Sequence, residues 1–318
     1  MKDSLRYKLP NENSVYCSGS FKEESDLNSV DGFFITDFNQ DRFFTFQEDS
    51  EVKVGVKTID VPLVQSKDEY LNTGKHFLSE LKSKCLDKAI LSRVKLTELK
   101  GASSDLFERL CDIYPDAFVY LVSSELFGTW IGATPEVLLR RTGNECTTMS
   151  LAGTKPISDS STWGEKEKKE QGFVTQFIQE KLERFGVGKI TQSELQTVSA
   201  GPVKHLRTDF TFQLAKNETL ALASKLHPTP AVSGLPRKEA IELIKEHEKH
   251  DRFFYSGMIG LHTVANSHLF VNLRCAQLFE GKIAMYLGGG YTKDSNVEAE
   301  WTETETKALT LLNAIKEL

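Results

Sequence analysis

The chain has 318 residues and carries 39 Lys and Arg against 45 Asp and Glu, a formal net charge of −6. Its 39% hydrophobic and 26% charged residues are ordinary for a folded domain and exclude disorder as the main state. The acidic balance argues against a nucleic acid or an anionic membrane as partner, because both attract cationic surfaces. No apolar run approaches the roughly 20 residues that span a bilayer. Five scattered cysteines without a CxxC pair, and no apolar signal segment in residues 1–14, predict a cytoplasmic protein.

The first half of the chain predicts mostly strands. In chain order, these are short aromatic strands at 33–35 and 43–46, a helix over 66–83, strands over 88–96 and 117–123, and a hairpin of 137–141 with 146–151. The hairpin turn is predicted at Thr142-Gly143-Asn144.

The second half predicts helices and then strands again. A helix over 163–185 ends at Gly186, a second begins at Pro236 and runs to about residue 250, three strands occupy 255–290, and a last helix starts near residue 296. Strands in batches, rather than alternating βαβ units, predict an α+β fold. No Pro, Gly or Ser-rich linker divides the chain, so residues 1–318 are predicted to form one large domain.

The last helix carries a possible binding face. Glu300, Glu303 and Lys307 are spaced i, i+3 and i+7, so they project from the same side. The preceding Gly288-Gly289-Gly290 run would allow backbone amides to approach an anion closely. Carboxylates one helical turn apart can bind a hard cation, although a solvated face with i,i+4 pairing is the commoner outcome of this spacing.

Other candidate residues also allow both a functional and a structural interpretation when each is considered alone. Glu136 follows an apolar strand and could be a desolvated general acid, but solvent-facing turn glutamates are more common. Lys88 begins an apolar strand and could be a base, but edge-strand lysines are the usual case. The HEKH run at 247–250 predicts a polar helix surface, since no third ligand or HExxH pattern supports a zinc site.

Nine segments in a fixed order nevertheless resemble the chorismate-utilising enzymes. They are KAILSR at 88–93, GATPEVLLRR at 132–141, LAGTKP at 151–156, EKEKKEQGFV at 165–174, GPVKHL at 201–206, HPTPAVSGLP at 227–236, YSGMIG at 255–260, LRCA at 273–276 and GGGYTKDSNVEAEWTETETK at 288–307. The resemblance covers residues 75–318 and implies one large α+β domain of two packed sheets with helices outside. Residues 1–70 resemble the family least, and the resemblance implies no function for them.

The resemblance also implies binding roles. It matches Glu170 and Glu303 to Mg²⁺ ligands with Glu300 alongside, a shell that suits this hard cation. The implied contacts to chorismate are Thr154, Ala231, Tyr255, Arg274, the amides of Gly288 and Gly289, and Lys307. Arg274 suits a carboxylate because its guanidinium can donate two parallel hydrogen bonds.

The implied chemistry is an isomerisation. Lys88 matches the general base that activates water, and Glu136 matches the general acid that protonates the departing hydroxyl. Ammonia-using relatives generally lack the lysine, and salicylate synthases tend to have threonine at the position of Ala231. The resemblance therefore implies an isochorismate synthase serving menaquinone or siderophore biosynthesis, with chorismate as partner and a monomeric state. Salicylate synthase is the alternative, followed by anthranilate or aminodeoxychorismate synthase.

Overall fold

The computed structural model describes residues 3–48, 59–316 and 318. Within these ranges the strands are β1 Asp3–Lys8, β2 Val15–Glu24, β3 Gly32–Thr36, β4 Phe43–Glu48, β5 Lys88–Glu98, β6 Phe118–Ser124, β7 Gly128–Thr134, β8 Val137–Thr142, β9 Glu145–Pro156, β10 Thr191–Gln192, β11 Gln196–Ala200, β12 Val203–Gln213, β13 Gly234–Leu235, β14 Met258–His262, β15 Asn266–Val271, β16 Cys275–Phe279 and β17 Lys282–Thr292. The helices are α1 Lys67–Ser83, α2 Ser103–Ile113, α3 Glu165–Phe185, α4 Thr219–Leu226, α5 Arg237–His247 and α6 Val297–Ile315.

These strands form one continuous antiparallel sheet. Its order is β13-β5-β17-β16-β7-β6-β1-β2-β4-β3-β14-β15-β8-β9-β12, and both β10 and β11 pair with β12. The α+β class is confirmed. The two predicted sheets are two halves of this single sheet, because β1 pairs with β6 of the first half and with β2 of the second. The N-terminal strands, to which sequence reasoning assigned no role, therefore join the halves.

The two halves face each other across an aromatic core. Phe118 of β6 and Phe270 of β15 belong to different halves, and their rings stack with centroids 4.5 Å apart. Trp130 of β7 is fully buried in the same cluster. Helices cover the outer faces: α3 and α4 pack on the second half, and α2 and α6 on the first, while α1 and α5 pack beside β5. The apolar burial that stabilises the fold thus lies in layers on both sides of the sheet.

Local signals account for the elements that the sequence predicts well. Ser66 and Glu69 form a reciprocal capping box at the start of α1, and Gly186 ends α3 in the left-handed region. The helices α2 and α4 were not predicted, since 11 and 8 residues are too few for a helical period to stand out. No helix in the described ranges is both long and apolar enough to cross a membrane.

Two predictions for residues 247–290 were wrong, one about the number of strands and one about the HEKH run. Residues 255–290 were expected to hold three strands, but β14 to β17 are four, because the chain also breaks between Val271 and Cys275. The HEKH run was expected to be a polar helix surface, but α5 ends at His247 and the chain then turns inward. The side chains of Glu248 and His250 are only 4% and 1% exposed. Burial of Glu248 is compensated by its ion pair with Arg252, and buried His250 forms a hydrogen bond with the Ser92 hydroxyl.

The buried Arg141 side chain stabilises two turns at once. Its guanidinium donates to the carbonyls of Gly143 and Ala265 at 2.8 and 3.1 Å, and to those of Thr263 and Val264 at 2.8 and 3.2 Å. These carbonyls lie in the β8–β9 and β14–β15 turns, so the Arg141 guanidinium links two neighbouring hairpins by hydrogen bonds.

We expect Arg141→Met to lower the free energy of unfolding by about 2 kcal/mol, because several carbonyls lose a charged donor. Chemical denaturation measures this change. The matched control is Arg184→Met on α3, whose side chain is 74% exposed and which should shift stability by less than about 0.5 kcal/mol. Equal effects of the two substitutions would contradict the proposed role of Arg141.

Candidate active site

A cavity opens where the start of β5, the glycine run of β17, the end of β9 and the helices α3 and α6 meet. It encloses about 700 Å³ of space that protein atoms do not fill, part of it open to solvent. Ten of the twelve residues singled out in the sequence line it: Lys88, Glu136, Thr154, Glu170, Ala231, Tyr255, Arg274, Gly288, Glu303 and Lys307. Groups that are up to about 220 positions apart in the chain are thus brought together, and their chemical roles stay predictions.

Lys88 is held by an ion pair at the inner end of the cavity. Its side chain is 1% exposed, and its Nζ lies 2.7 Å from Oε1 of Glu170 on α3. β17 runs beside β5 and leaves room for this pair, since a Cβ at Gly290 would lie 2.6 Å from the same glutamate oxygen. A side chain at position 290 would therefore push the Glu170 carboxylate away from Lys88.

Gly288 and Gly290 share one face of β17 because side chains alternate along a strand. A Cβ at Gly288 would lie 2.6 Å from the Tyr255 hydroxyl. Burial raises the pKa of Tyr255 to about 12, so its hydroxyl stays a donor at neutral pH. Gly289 faces the opposite side, where a Cβ would lie 3.3 Å from Glu300. Neither Gly289 nor Glu300 is among the residues that line the cavity, although both were expected in the site.

Glu136 occupies the turn between β7 and β8 and is 4% exposed. Its backbone is fixed because its carbonyl accepts from the Val271 amide at 3.0 Å. Burial raises the pKa of Glu136 to about 7, against the smaller opposing effects of Lys88, Lys307 and Arg274. A carboxyl group with this pKa can hold and release a proton near neutrality, as a general acid requires.

Arg274 lies in the unpredicted break between β15 and β16, with a positive φ of 50°. Its Nη2 donates to Nε2 of His205 at 3.3 Å, and its buried Nη1 has no hydrogen-bond partner among the described residues. Nδ1 of His205 donates to the Gly153 carbonyl at 2.9 Å, so Nε2 is the acceptor. Burial lowers the pKa of His205 to about 3, which keeps the ring neutral. The free guanidinium arm is suited to a carboxylate.

Sequence reasoning missed His205. It stands in the GPVKHL segment that carries part of the family resemblance, but a lone histidine in a strand has no spacing signal of its own. Only the tertiary structure shows that His205 belongs to the site. The pairing of β12 with β9 places its ring beside Gly153 and Arg274.

The three glutamates matched to metal ligands each pair with a lysine, and two of them, Glu170 and Glu303, line the cavity. Besides the pair of Glu170 with Lys88, Glu303 lies 2.6 Å from Lys307, and Glu300 lies 2.8 Å from Lys166. Burial and the neighbouring Glu303 raise the pKa of Glu300 to about 7. Burial opposes the charged form of Glu303 as well, but Lys307 holds the pKa of this carboxyl below its usual value.

The donor set fits a divalent cation. Oε2 of Glu300 is buried and has no hydrogen-bond partner among the described residues, and a second carboxylate close by raises the cost of its charge. Carboxylate oxygens are the ligands that hard cations prefer. In this structure the three glutamates form ion pairs with lysines, and their oxygens do not point at one common position. Within the described ranges, acidic and histidine ligand atoms approach to within 4.8 Å as a trio at Glu80, Glu246 and His247, away from the cavity.

Sequence comparison identifies the family. The family model described as "Chorismate binding enzyme" matches residues 34–316. Isochorismate synthase EntC of Escherichia coli is 32% identical over 242 residues, 72% of this chain and 62% of the relative. The putative isochorismate synthase MenF of Mycobacterium tuberculosis is 34% identical over 253 residues, 72% of this chain and 68% of the relative. The chain thus spans less than two thirds of the length of the Escherichia coli protein.

Solved structures show the same fold. The putative 2,3-dihydroxybenzoate-specific isochorismate synthase DhbC from Bacillus anthracis matches with a TM-score of 0.84 at 23% identity, over 99% of this chain and 96% of that one. The menaquinone-specific isochorismate synthase MenF from Escherichia coli matches with a TM-score of 0.81 at 18% identity, over 98% and 88%. These structures show the fold. The family model over residues 34–316 and the 34% identical relative show that the chain belongs to the chorismate binding enzyme family.

Proposed function

We propose that this chain is an isochorismate synthase that converts chorismate reversibly into isochorismate with bound Mg²⁺. The observation that carries the proposal is the presence of a buried lysine, Lys88, and a buried glutamate, Glu136, in one cavity that also presents an unpartnered arginine arm. The pKa of Glu136, near 7, suits an acid that works at neutral pH. The relatives named isochorismate synthase support the same reaction.

The substrate is a dianion, and the cavity offers cationic and hydroxyl donors to hold it. Arg274 would take one carboxylate with its free Nη1 while His205 holds the other arm. The Tyr255 hydroxyl and the amides around Gly288 would contribute further hydrogen bonds. Lys307 donates to the Gly288 carbonyl at 2.8 Å and adds positive charge to the same wall. Thr154 and Ala231 would limit the space around the ring.

The reaction adds one water and releases another. Lys88, in its amine form, would remove a proton from a water molecule that attacks C2 of the ring. The two ring double bonds shift, and the C4–O bond breaks. Glu136 would protonate the departing hydroxyl, which leaves as water. Lys88 ends protonated and Glu136 ends ionised, so a return of one proton resets the site, and the reverse reaction uses the same two groups in exchanged roles.

The glutamates would hold the metal. Glu170 and Glu303 are the proposed ligands, with Glu300 beside them. When bound, Mg²⁺ would neutralise the ring carboxylate and stabilise negative charge that develops across the conjugated ring. Each glutamate would have to exchange its lysine contact for the cation, and Lys88 would thereby lose its ion-pair partner.

We further propose a monomeric, cytoplasmic enzyme in which residues 1–318 form one chorismate-binding domain. The net charge of −6 and the five free thiols are in keeping with this setting. The product would serve menaquinone or catechol siderophore biosynthesis.

The first test is a product assay with purified protein, chorismate and Mg²⁺, analysed by chromatography. We expect isochorismate from the wild type. Lys88→Met should lower kcat by roughly 100-fold or more, because general base catalysis typically contributes that much. The matched control is Lys84→Met, an exposed lysine directly after α1 that does not line the cavity and should keep full activity. Full turnover by Lys88→Met would remove the proposed base.

The same assay separates the alternatives. Salicylate and pyruvate as main products would identify a salicylate synthase. Anthranilate formed in the presence of ammonium would identify the amination reaction instead.

The pH profile tests Glu136. A general acid must be protonated, and the protonated fraction falls as pH rises above the pKa, so kcat/KM should decline above pH of about 7. Glu136→Gln should lower kcat/KM by roughly 100-fold and abolish this decline. The control Glu280→Gln, in the exposed β16–β17 turn, should preserve both. An alkaline decline that survives in Glu136→Gln would assign the acid to another group.

Calorimetric titration with Mg²⁺ tests the metal site. Glu303→Gln should weaken Mg²⁺ binding by at least tenfold, because one anionic ligand is lost. Removal of the metal with a chelator should abolish turnover. The control is Glu246→Gln, which alters the surface trio that lies outside the cavity. If Glu246→Gln weakens binding and Glu303→Gln does not, the cation belongs to the surface trio.

A further inference from the structure

A buried ion pair lies behind the cavity wall. Arg252 and Glu248, whose side chains are 3% and 4% exposed, form a bidentate pair. Nε of Arg252 donates to Oε2 of Glu248 at 2.8 Å, and Nη2 donates to Oε1 at 2.7 Å. We call this pair the Arg252–Glu248 clamp. Neither residue lines the cavity, so neither can contact a bound substrate.

The clamp holds backbone groups of two segments that do line the cavity. Nη1 of Arg252 donates to the Val232 carbonyl at 2.7 Å, and Nη2 also donates to the Ile90 carbonyl at 2.9 Å. Oε1 of Glu248 accepts from the Ser92 amide at 2.6 Å. The clamp thus joins β5, two residues beyond Lys88, to the loop that carries Ala231.

The backbone of Arg252, as distinct from its side chain, contacts a third wall of the site. The backbone carbonyl of Arg252 accepts from the amide of Tyr255 at 2.8 Å. Three cavity-lining segments are therefore hydrogen-bonded to one arginine.

Backbone hydrogen bonds also join β5 to the loop. The two-residue strand β13 pairs Gly234 with Ala89 and Leu235 with Lys88. The Ile90 amide donates to the Ser233 carbonyl at 3.0 Å, and the Asp87 amide, just before β5, donates to the Leu235 carbonyl at 2.9 Å. Without the arginine, the buried Val232 and Ile90 carbonyls would lose their charged donor, and the two segments could separate. A shift of about 1 Å in the geometry of reacting groups can cost about 100-fold in rate.

We propose that Arg252 and Glu248 are positioning residues that set where Lys88 stands relative to the Ala231–Val232 wall. The proposal rests on the function proposed above. A planar guanidinium can satisfy the carboxylate and both carbonyls at once, whereas an ammonium is a point donor and cannot span them. The clamp therefore acts on the base through the strand that carries it and not through the substrate.

The test compares Arg252→Lys and Glu248→Gln with the wild type by steady-state kinetics. We expect kcat to fall by at least tenfold in both variants while KM and the Mg²⁺ affinity stay within about twofold. The matched control is Arg237→Lys. Arg237 also donates to backbone carbonyls, those of Lys225 at the end of α4 and His227 at the start of the same loop. Arg237 makes no contact with β5 in the described hydrogen bonds, so the control should keep kcat.

A double mutant shows whether the clamp acts through Lys88. In the Lys88→Met background, adding Arg252→Lys should leave the residual rate unchanged, because the group that it positions is gone. A further loss in the double mutant equal to that in the single mutant would overturn the proposal, as would an unchanged kcat in Arg252→Lys.

Circular dichroism and thermal melts accompany each variant. If Arg252→Lys does not fold, Glu248→Gln and its double mutant with Lys88→Met decide the question by the same two criteria. An inactive wild type would refute the proposed function itself. An active wild type with fully active clamp variants would refute only the clamp.

Discussion

Burial of charge is the constraint on which the site depends. The Lys88 side chain is almost completely removed from water, and a buried polar group needs a close partner. Glu170 on α3 supplies it at 2.7 Å. A Cβ at Gly290 would lie 2.6 Å from that carboxylate oxygen, so a side chain there would displace Glu170 from Lys88. The ion pair thus depends on a glycine in the neighbouring strand and on a carboxylate from α3.

The remaining charges divide into two kinds. Glu170, Glu300 and Glu303 each have a lysine within 2.8 Å, whereas Glu136 has no ion-pair partner within the described ranges. The paired carboxylates are suited to bind a cation in exchange for their lysines. Burial without a close partner raises the pKa of Glu136 to about 7 and suits it to proton transfer. Four glutamate side chains thus differ in their suitability for metal binding or proton transfer because their surroundings differ.

The Arg252–Glu248 clamp behind the cavity wall also shows that a buried charge needs a partner. The guanidinium of Arg252 is buried because Glu248 neutralises it, and its remaining donors then satisfy the carbonyls of Ile90 and Val232. Arg274 is arranged differently, since neutral His205 takes one arm and leaves the other for a ligand. An arginine fully saturated by protein groups holds structure together, and one left partly unsatisfied is able to bind.

Local patterns in the sequence determined the α+β class, the capping box of α1, the end of α3 at Gly186 and the ordered segments that name the family. These signals depend on neighbours along the chain, and so they can be read without the fold. The tertiary structure alone decided that β1 joins two halves into one sheet, that Arg274 interrupts a strand, and that Glu248 and His205 are buried. Those outcomes depend on which distant groups meet, because a charge is tolerated in the interior only where a partner from elsewhere in the chain arrives beside it.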